Sequence, residues 1–174
     1  MNFSLSKSLQ ILERTPDVLI VMLQNISTEW TSNNEGGDTW SVYDIIGHLI
    51  HGEKTDWIQR MEIILSKNED KTFEAFDRFA QFEASKGKTL GELLDEFKSI
   101  RRNNIDRLKF KNLTTEDLKK TGIHPALGEV TLSQLLSTWT VHDLNHLAQI
   151  SRVMGKHYER EVGPWKKYLR ILQL

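Results

Sequence analysis

The chain has 174 residues, 39% hydrophobic and 27% charged, with a formal net charge of −1 at pH 7. That length supports a single domain over residues 1–174 with a real core, and the near-neutral balance gives no electrostatic reason to expect a nucleic-acid partner. It contains no cysteine, so disulfides and thiolate ligands are excluded, and any metal site must use His, Asp, Glu or backbone oxygens.

Residues 3–13 read as a short helix. Thr15 then suits an N-cap and Pro16 the first helical position. The following helix, from Asp17 to about Ile26, is heavily apolar. Residues 31–38, rich in Asn, Gly and Ser, form a loop by composition. Ser41-Val-Tyr-Asp44 resembles a capping box with Asp in place of Glu. It opens a second helix to about Leu65, with Val42, Ile45, Ile46, Leu49, Ile50, Trp57, Met61 and Ile64 as its apolar residues. Residues 72–88 carry Phe73, Phe76, Phe79 and Phe82 without clean periodicity and read as a long crossover.

Thr89-Leu-Gly-Glu92 is a full capping box and opens a third helix to about Leu108. Thr115 to Leu118 reads as one helical turn, and Gly122 to Gly128 as a loop. Thr131-Leu-Ser-Gln134 caps a fourth helix that runs to about Met154, with Gly155 as its C-cap. Pro164 starts a short terminal helix through Leu172. No segment sustains period-two alternation, so no strand is expected. The pattern predicts an all-α four-helix bundle with a long crossover between helices two and three. The basic pairs Arg101-Arg102, Lys119-Lys120 and Lys166-Lys167 read as solvated helix faces.

The N-terminus lacks the basic region and apolar run of a signal peptide, and no apolar stretch is long enough to span a membrane. A cysteine-free chain of this kind fits a cytoplasmic protein with no membrane partner.

The fourth helix carries the chemistry. At about 100° per residue, Leu132, Leu135, Leu136, Trp139, Leu147, Ile150, Val153 and Met154 form one apolar stripe. His146 lies inside it, His142 at its edge and Asp143 near its centre. Histidines four apart on a helix share one face and can reach one ion. A carboxylate in a buried stripe is costly unless paired or coordinated. The spacing is that of the zinc-binding helix of metalloproteases, but Asp follows the first His where that motif has Glu. The dipeptide His142-Asp143 also resembles that of the HD-type phosphohydrolases, whose further spaced ligands are not evident here. A lone histidine on an apolar face is ordinarily a hydrogen-bonded core residue; two with an embedded carboxylate make a metal site an equal contender.

A third ligand has several sources. His124 precedes a proline in a loop and His157 follows the helix, so both look peripheral. His48 and His51 lie on the second helix, where periodicity alone places His48 on the surface. Spacing does not choose between those two. Trp139, one turn before His142, is either core or a wall of the site. Gln149, one turn beyond His146, is placed to contact a bound water or to bridge helices, and Glu53 is a further candidate base.

Trp40-Ser-Val, Gly47-His48-Leu, Gly128-Glu-Val-Thr-Leu and the run Trp139-Thr-Val-His142-Asp143-Leu-Asn-His146-Leu-Ala-Gln149-Ile together resemble the DinB-like superfamily of metal-binding bundles, the damage-inducible-protein family rather than the DNA polymerase sharing the name. Val162-Gly-Pro-Trp165-Lys-Lys-Tyr168-Leu resembles one bacterial branch of it. The resemblance implies an up-down-down-up bundle, a divalent metal, commonly zinc or nickel, and a homodimer. Carried over, the ligands are His48, His142 and His146. It further implies a small-molecule substrate and, for the thiol-dependent S-transferases of the family, a low-molecular-weight thiol. Hydrolysis and thiol transfer both suit such a centre, and a non-catalytic metal-binding or ligand-binding protein is the alternative. Asp143 is the candidate for orienting a ligand histidine or acting as a base, against a buried ion pair with no catalytic part.

Overall fold

The computed structural model describes residues 2–173. The first arm of the bundle is α1 (Leu5–Leu12) followed by α2 (Thr15–Leu23). Thr15 is inside α2 rather than capping it, and its hydroxyl donates back to the Ile11 carbonyl at 3.1 Å. A single turn, α3 (Glu29–Ser32), precedes the loop expected from the Asn- and Gly-rich composition. The second arm is α4 (Val42–Thr55) and α5 (Trp57–Leu65). The capping box at its start is complete: the Ser41 side chain accepts the Asp44 N–H, and Asp44 accepts the Ser41 N–H at 2.9 Å. The helix expected to be continuous to Leu65 breaks at Asp56, whose φ of −112° and ψ of −73° depart from helical geometry.

The crossover includes α6 (Ala80–Ser85). The third arm is α7 (Leu90–Phe110), capped by Thr89 and Glu92 as the sequence predicts. A turn, α8 (Thr115–Lys119), leads to a hairpin and then to the fourth arm, α9 (Leu132–Lys156), capped by Thr131 and Gln134. The four arms make the expected bundle, up-down-down-up, with the crossover between the second and third. α9 passes through Gly155 rather than ending there; its C-cap is His157. Beyond it the terminal segment forms two 3₁₀ turns, Gly163–Tyr168 and Arg170–Leu172.

The hairpin corrects the expectation of no strands. β1 (Thr121–His124) pairs antiparallel with β2 (Gly128–Thr131), in register from Thr121 opposite Thr131 to His124 opposite Gly128. Four-residue strands are too short to show an alternation. The crossover adds to this sheet: Phe73 N–H donates to the Ile123 carbonyl and Ile123 N–H to the Lys71 carbonyl, each at 2.9 Å. Gly122 permits that approach. A Cβ there would lie 2.5 Å from the Phe73 ring.

The core falls into two apolar halves. One gathers Trp57, Ile58, Met61, Ile64, Leu108, Leu136 and their neighbours. The other gathers Leu19, Val42, Ile46, Leu94, Phe97 and Ile150 among others. Each of α4–α5, α7 and α9 contributes to both, and each carries buried polar residues in between: Glu53, then Arg101 and Asn104, then Asp143 and His146. A polar layer thus crosses the bundle at mid-height. Among the described residues, no helix is long and apolar enough to cross a membrane.

Candidate metal centre

Three histidines meet at the edge of the polar layer. His142 and His146 project from one face of α9, as their spacing requires, and His48 projects toward them from α4. His142 Nε2 lies 3.1 Å from His48 Nε2 and 3.1 Å from His146 Nε2. Among the described residues this is the one group of three or more potential ligands whose donor atoms converge, all within 4.8 Å. His48 is buried, against the surface position that periodicity alone gave it. Its place is set by packing against the crossover and α9, contacts that a helical wheel of one helix does not contain. His51 points instead at Phe76, with ring centroids 4.9 Å apart.

Trp40, Trp57 and Phe76 surround the cluster. Trp40 and Phe76 lie 4.8 and 5.5 Å from the His48 ring, and Trp57 lies 5.1 Å from His142. This largely apolar setting governs the charge of the imidazoles. Burial, reinforced by the charges of the other histidines, pushes His48 down to about 3 and His142 down to about 2. Burial also lowers His146, against its bond to Gln149. All three are therefore neutral at pH 7, each with a lone pair to give.

Neutral imidazoles at these separations suit a cation. Metal–nitrogen bonds of about 2.0–2.1 Å at tetrahedral to octahedral angles hold ligand nitrogens roughly 2.9–3.4 Å apart, and the 3.1 Å separations fall inside that interval. A purely structural zinc site would be closed by four protein ligands. Here three converge.

The outer partners are only partly those expected. Gln149 Oε1 lies 2.7 Å from His146 Nδ1. That bond places the ring proton on Nδ1 and leaves Nε2 free toward the other histidines. Asp143 does not reach a histidine through any recorded hydrogen bond. Both its oxygens accept from Arg101, at 2.6 and 2.9 Å, in complete burial. Arg101 also donates to Glu53 at 2.9 Å and to the Leu12 carbonyl at 2.9 Å. Glu53 in turn accepts from Trp139 Nε1 and Asn104 Nδ2, each at 2.9 Å. Glu53 and Asp143 are thus spoken for by structural partners. Arg101 corrects the reading of its basic pair as a solvated face: it is 1% exposed, while its neighbour Arg102 is open to solvent. Trp139 is core, stacked on Trp57 at 5.8 Å.

A cavity opens beside the cluster, lined by His48 and His142 and also by Trp57, Phe73 and Arg60. His124, expected to be peripheral, is on its wall because the hairpin folds over the bundle there. His157 stays away, packed on Trp30 at 5.3 Å.

A family model described as the DinB superfamily matches residues 11–150. Among solved structures, the chain is similar to YfiT from Bacillus subtilis, described as a probable metal-dependent hydrolase with an unusual four-helix bundle topology. The TM-score is 0.71 at 20% identity, covering 91% of this chain and 87% of that one. No curated protein sequence matches.

Proposed function

The chain belongs to the DinB superfamily, and from that premise we propose that it is a divalent-metal-dependent hydrolase of a small molecule, with His48, His142 and His146 as the metal ligands. The observation that carries this reading is the convergence of three neutral imidazole nitrogens, from buried His48 and His146 and half-buried His142, beside an open cavity. The neighbour's description as a metal-dependent hydrolase favours hydrolysis. Thiol transfer is the second reading, and it rests on the resemblance to a superfamily that includes thiol-dependent S-transferases. A bound zinc or nickel ion supplies Lewis acidity, polarising an oxygen or sulfur that it contacts.

The chain's own residues supply the rest. Burial keeps the histidines unprotonated at neutral pH. Gln149 fixes the His146 ring so that Nε2 faces the site. Trp57 and Phe76 limit water around the cluster, which strengthens every polar interaction inside it. Asp143 and Glu53 contribute indirectly, by holding α9 and α4 to Arg101. The resemblance adds a homodimer, in which a second copy would cover the exposed Val141 and Leu144 of α9.

Metal analysis of the purified protein and of His142→Ala tests the ligand set. Loss of metal with unchanged helix content is the expected result, and retained metal would overturn it. The metal-loaded protein is then screened against esters, amides and lactones, and separately against electrophiles with low-molecular-weight thiols. Turnover only in the second screen transfers the assignment to thiol transfer.

A further inference from the structure

The cavity beside the histidines has a volume of about 280 Å³. That is many times the roughly 10–15 Å³ that one water needs, and room for a small molecule. His48, Gly52, Asp56 and Arg60 follow at intervals of four and all line it. The walls are mostly apolar. Trp57 and Phe76 lie near the cluster, while the Arg60 guanidinium sits over the Phe73 ring at 5.2 Å.

The polar groups of that wall are unbalanced. Arg60 Nε lies 2.5 Å from Asp56 Oδ1, and Nη2 reaches the Glu74 carbonyl at 3.5 Å. Nη1 has no recorded partner among the described residues. His124 Nδ1 accepts the N–H groups of Ala126 and Leu127 at 3.1 and 3.2 Å. Its proton in the neutral form is therefore on Nε2, which is a donor. Burial and the nearby Arg60 charge both favour that neutral form. Gln134 Oε1 accepts the Thr131 N–H at 2.8 Å in the α9 cap, which leaves its amide N–H groups to donate. Three donor groups on this wall thus have no protein partner among the described residues: Arg60 Nη1, His124 Nε2 and the Gln134 amide. A ligand group that only accepts suits this wall. A carboxylate does so, takes a charge-assisted bond from Arg60 Nη1, and leaves space for an apolar body.

We propose that this cavity is the substrate site of the metal centre proposed above, and that it takes a carboxylate-terminated molecule with a flat apolar body. The carboxylate is held by Arg60, His124 and Gln134, and the reactive end lies at the histidines. Arg60 is the specificity-determining residue. The inference rests on the metal-hydrolase reading for what happens to the substrate, but not for its recognition.

The test uses three probes of one shape: phenylpropionate, phenylpropionamide and phenethylammonium. Their binding is measured by calorimetry on the metal-loaded protein and on the protein after chelation. Phenylpropionate is expected to bind about tenfold tighter than the amide, the discrimination of one charge-assisted bond, and the ammonium probe weakest. The preference persists after chelation and disappears in Arg60→Gln, whose metal content stays at the wild-type level. Arg60→Lys keeps part of it, which guards against misreading a poorly folded Gln variant. Equal binding of all three probes by the wild type overturns the proposal. So does a preference that needs the metal, because the carboxylate is then a metal ligand. A chain that fails to bind metal but ranks the probes as expected overturns the hydrolase reading and leaves the carboxylate subsite standing.

Discussion

Arg101 grips Asp143 through two parallel hydrogen bonds of 2.6 and 2.9 Å, although the residues lie on different helices and neither is more than 1% exposed. The same guanidinium holds Glu53 of α4. Glu53 is five residues after His48, and Asp143 directly follows His142, so one arginine aligns the two helices that carry the cluster. Removing one member of a buried pair strands the other charge and costs about 3–5 kcal/mol. Asp143→Ala is therefore expected to lower the unfolding free energy by that amount in urea titrations. A loss under about 1 kcal/mol, the range of exposed pairs, would show that the pair carries no such weight.

Gln149 is expected to matter for metal rather than for folding. Losing a hydrogen-bond partner behind a ligand histidine typically weakens metal binding about 10–100-fold. Gln149→Ala should show that loss in competition titrations against a chromophoric chelator, with circular dichroism unchanged. Gln149→Glu, which keeps the acceptor beside His146 Nδ1, should restore most of the affinity.

Gly122→Ala tests the seating of the hairpin on the crossover. The added methyl would meet Phe73 at 2.5 Å and Ile64 at 2.9 Å. Forced overpacking of this kind costs about 1–3 kcal/mol. Combining it with Phe73→Leu should cost less than the sum of the two single changes in thermal or urea unfolding, because the clash is with that ring. Strict additivity would place the cost elsewhere.

Glu35 ties the first interhelical loop to α9. It accepts from Arg152 Nε and Nη2 at 2.8 and 2.7 Å and lies 3.1 Å from Lys156 Nζ. Bonding to Arg152 outweighs burial and holds its carboxyl below the ordinary 4.5. A depressed carboxyl stabilises the fold fully above its unfolded value and loses that contribution as pH falls through the folded one. The stability difference between wild type and Glu35→Gln should therefore be about 1–2 kcal/mol near neutrality. It should shrink as unfolding is measured at successively lower pH from about 4.5 downward. A difference that stays constant to pH 3 would mean the carboxyl does not titrate with the fold.

Much of this architecture is legible residue by residue. The capping boxes at Ser41, Thr89 and Thr131 mark three helix starts correctly because a cap is a local event. Asp143 stands out in the α9 stripe, and the structure buries it completely. Its partner does not stand out, since Arg101 is 42 residues away and its burial depends on which helix faces α9. His48 is hidden for the same reason: the wheel of one helix describes its own apolar arc and not the polar layer that three helices build together. Gln149 is visible at the right spacing, but its bond to His146 needs a rotamer that spacing does not specify. The hairpin escapes because four-residue strands are held by pairing with each other and with the crossover rather than by a pattern of their own.

The polar layer between the two apolar halves has an effect on alignment. An all-apolar bundle can slide one helix past another by a turn, about 5.4 Å, and still cover its side chains. Here a slide of α9 by one turn would lift Asp143 off Arg101 and leave only one of His142 and His146 beside His48. The charges thus act as a detent, admitting one axial setting and making the correctly assembled histidine cluster and the correctly assembled bundle the same event.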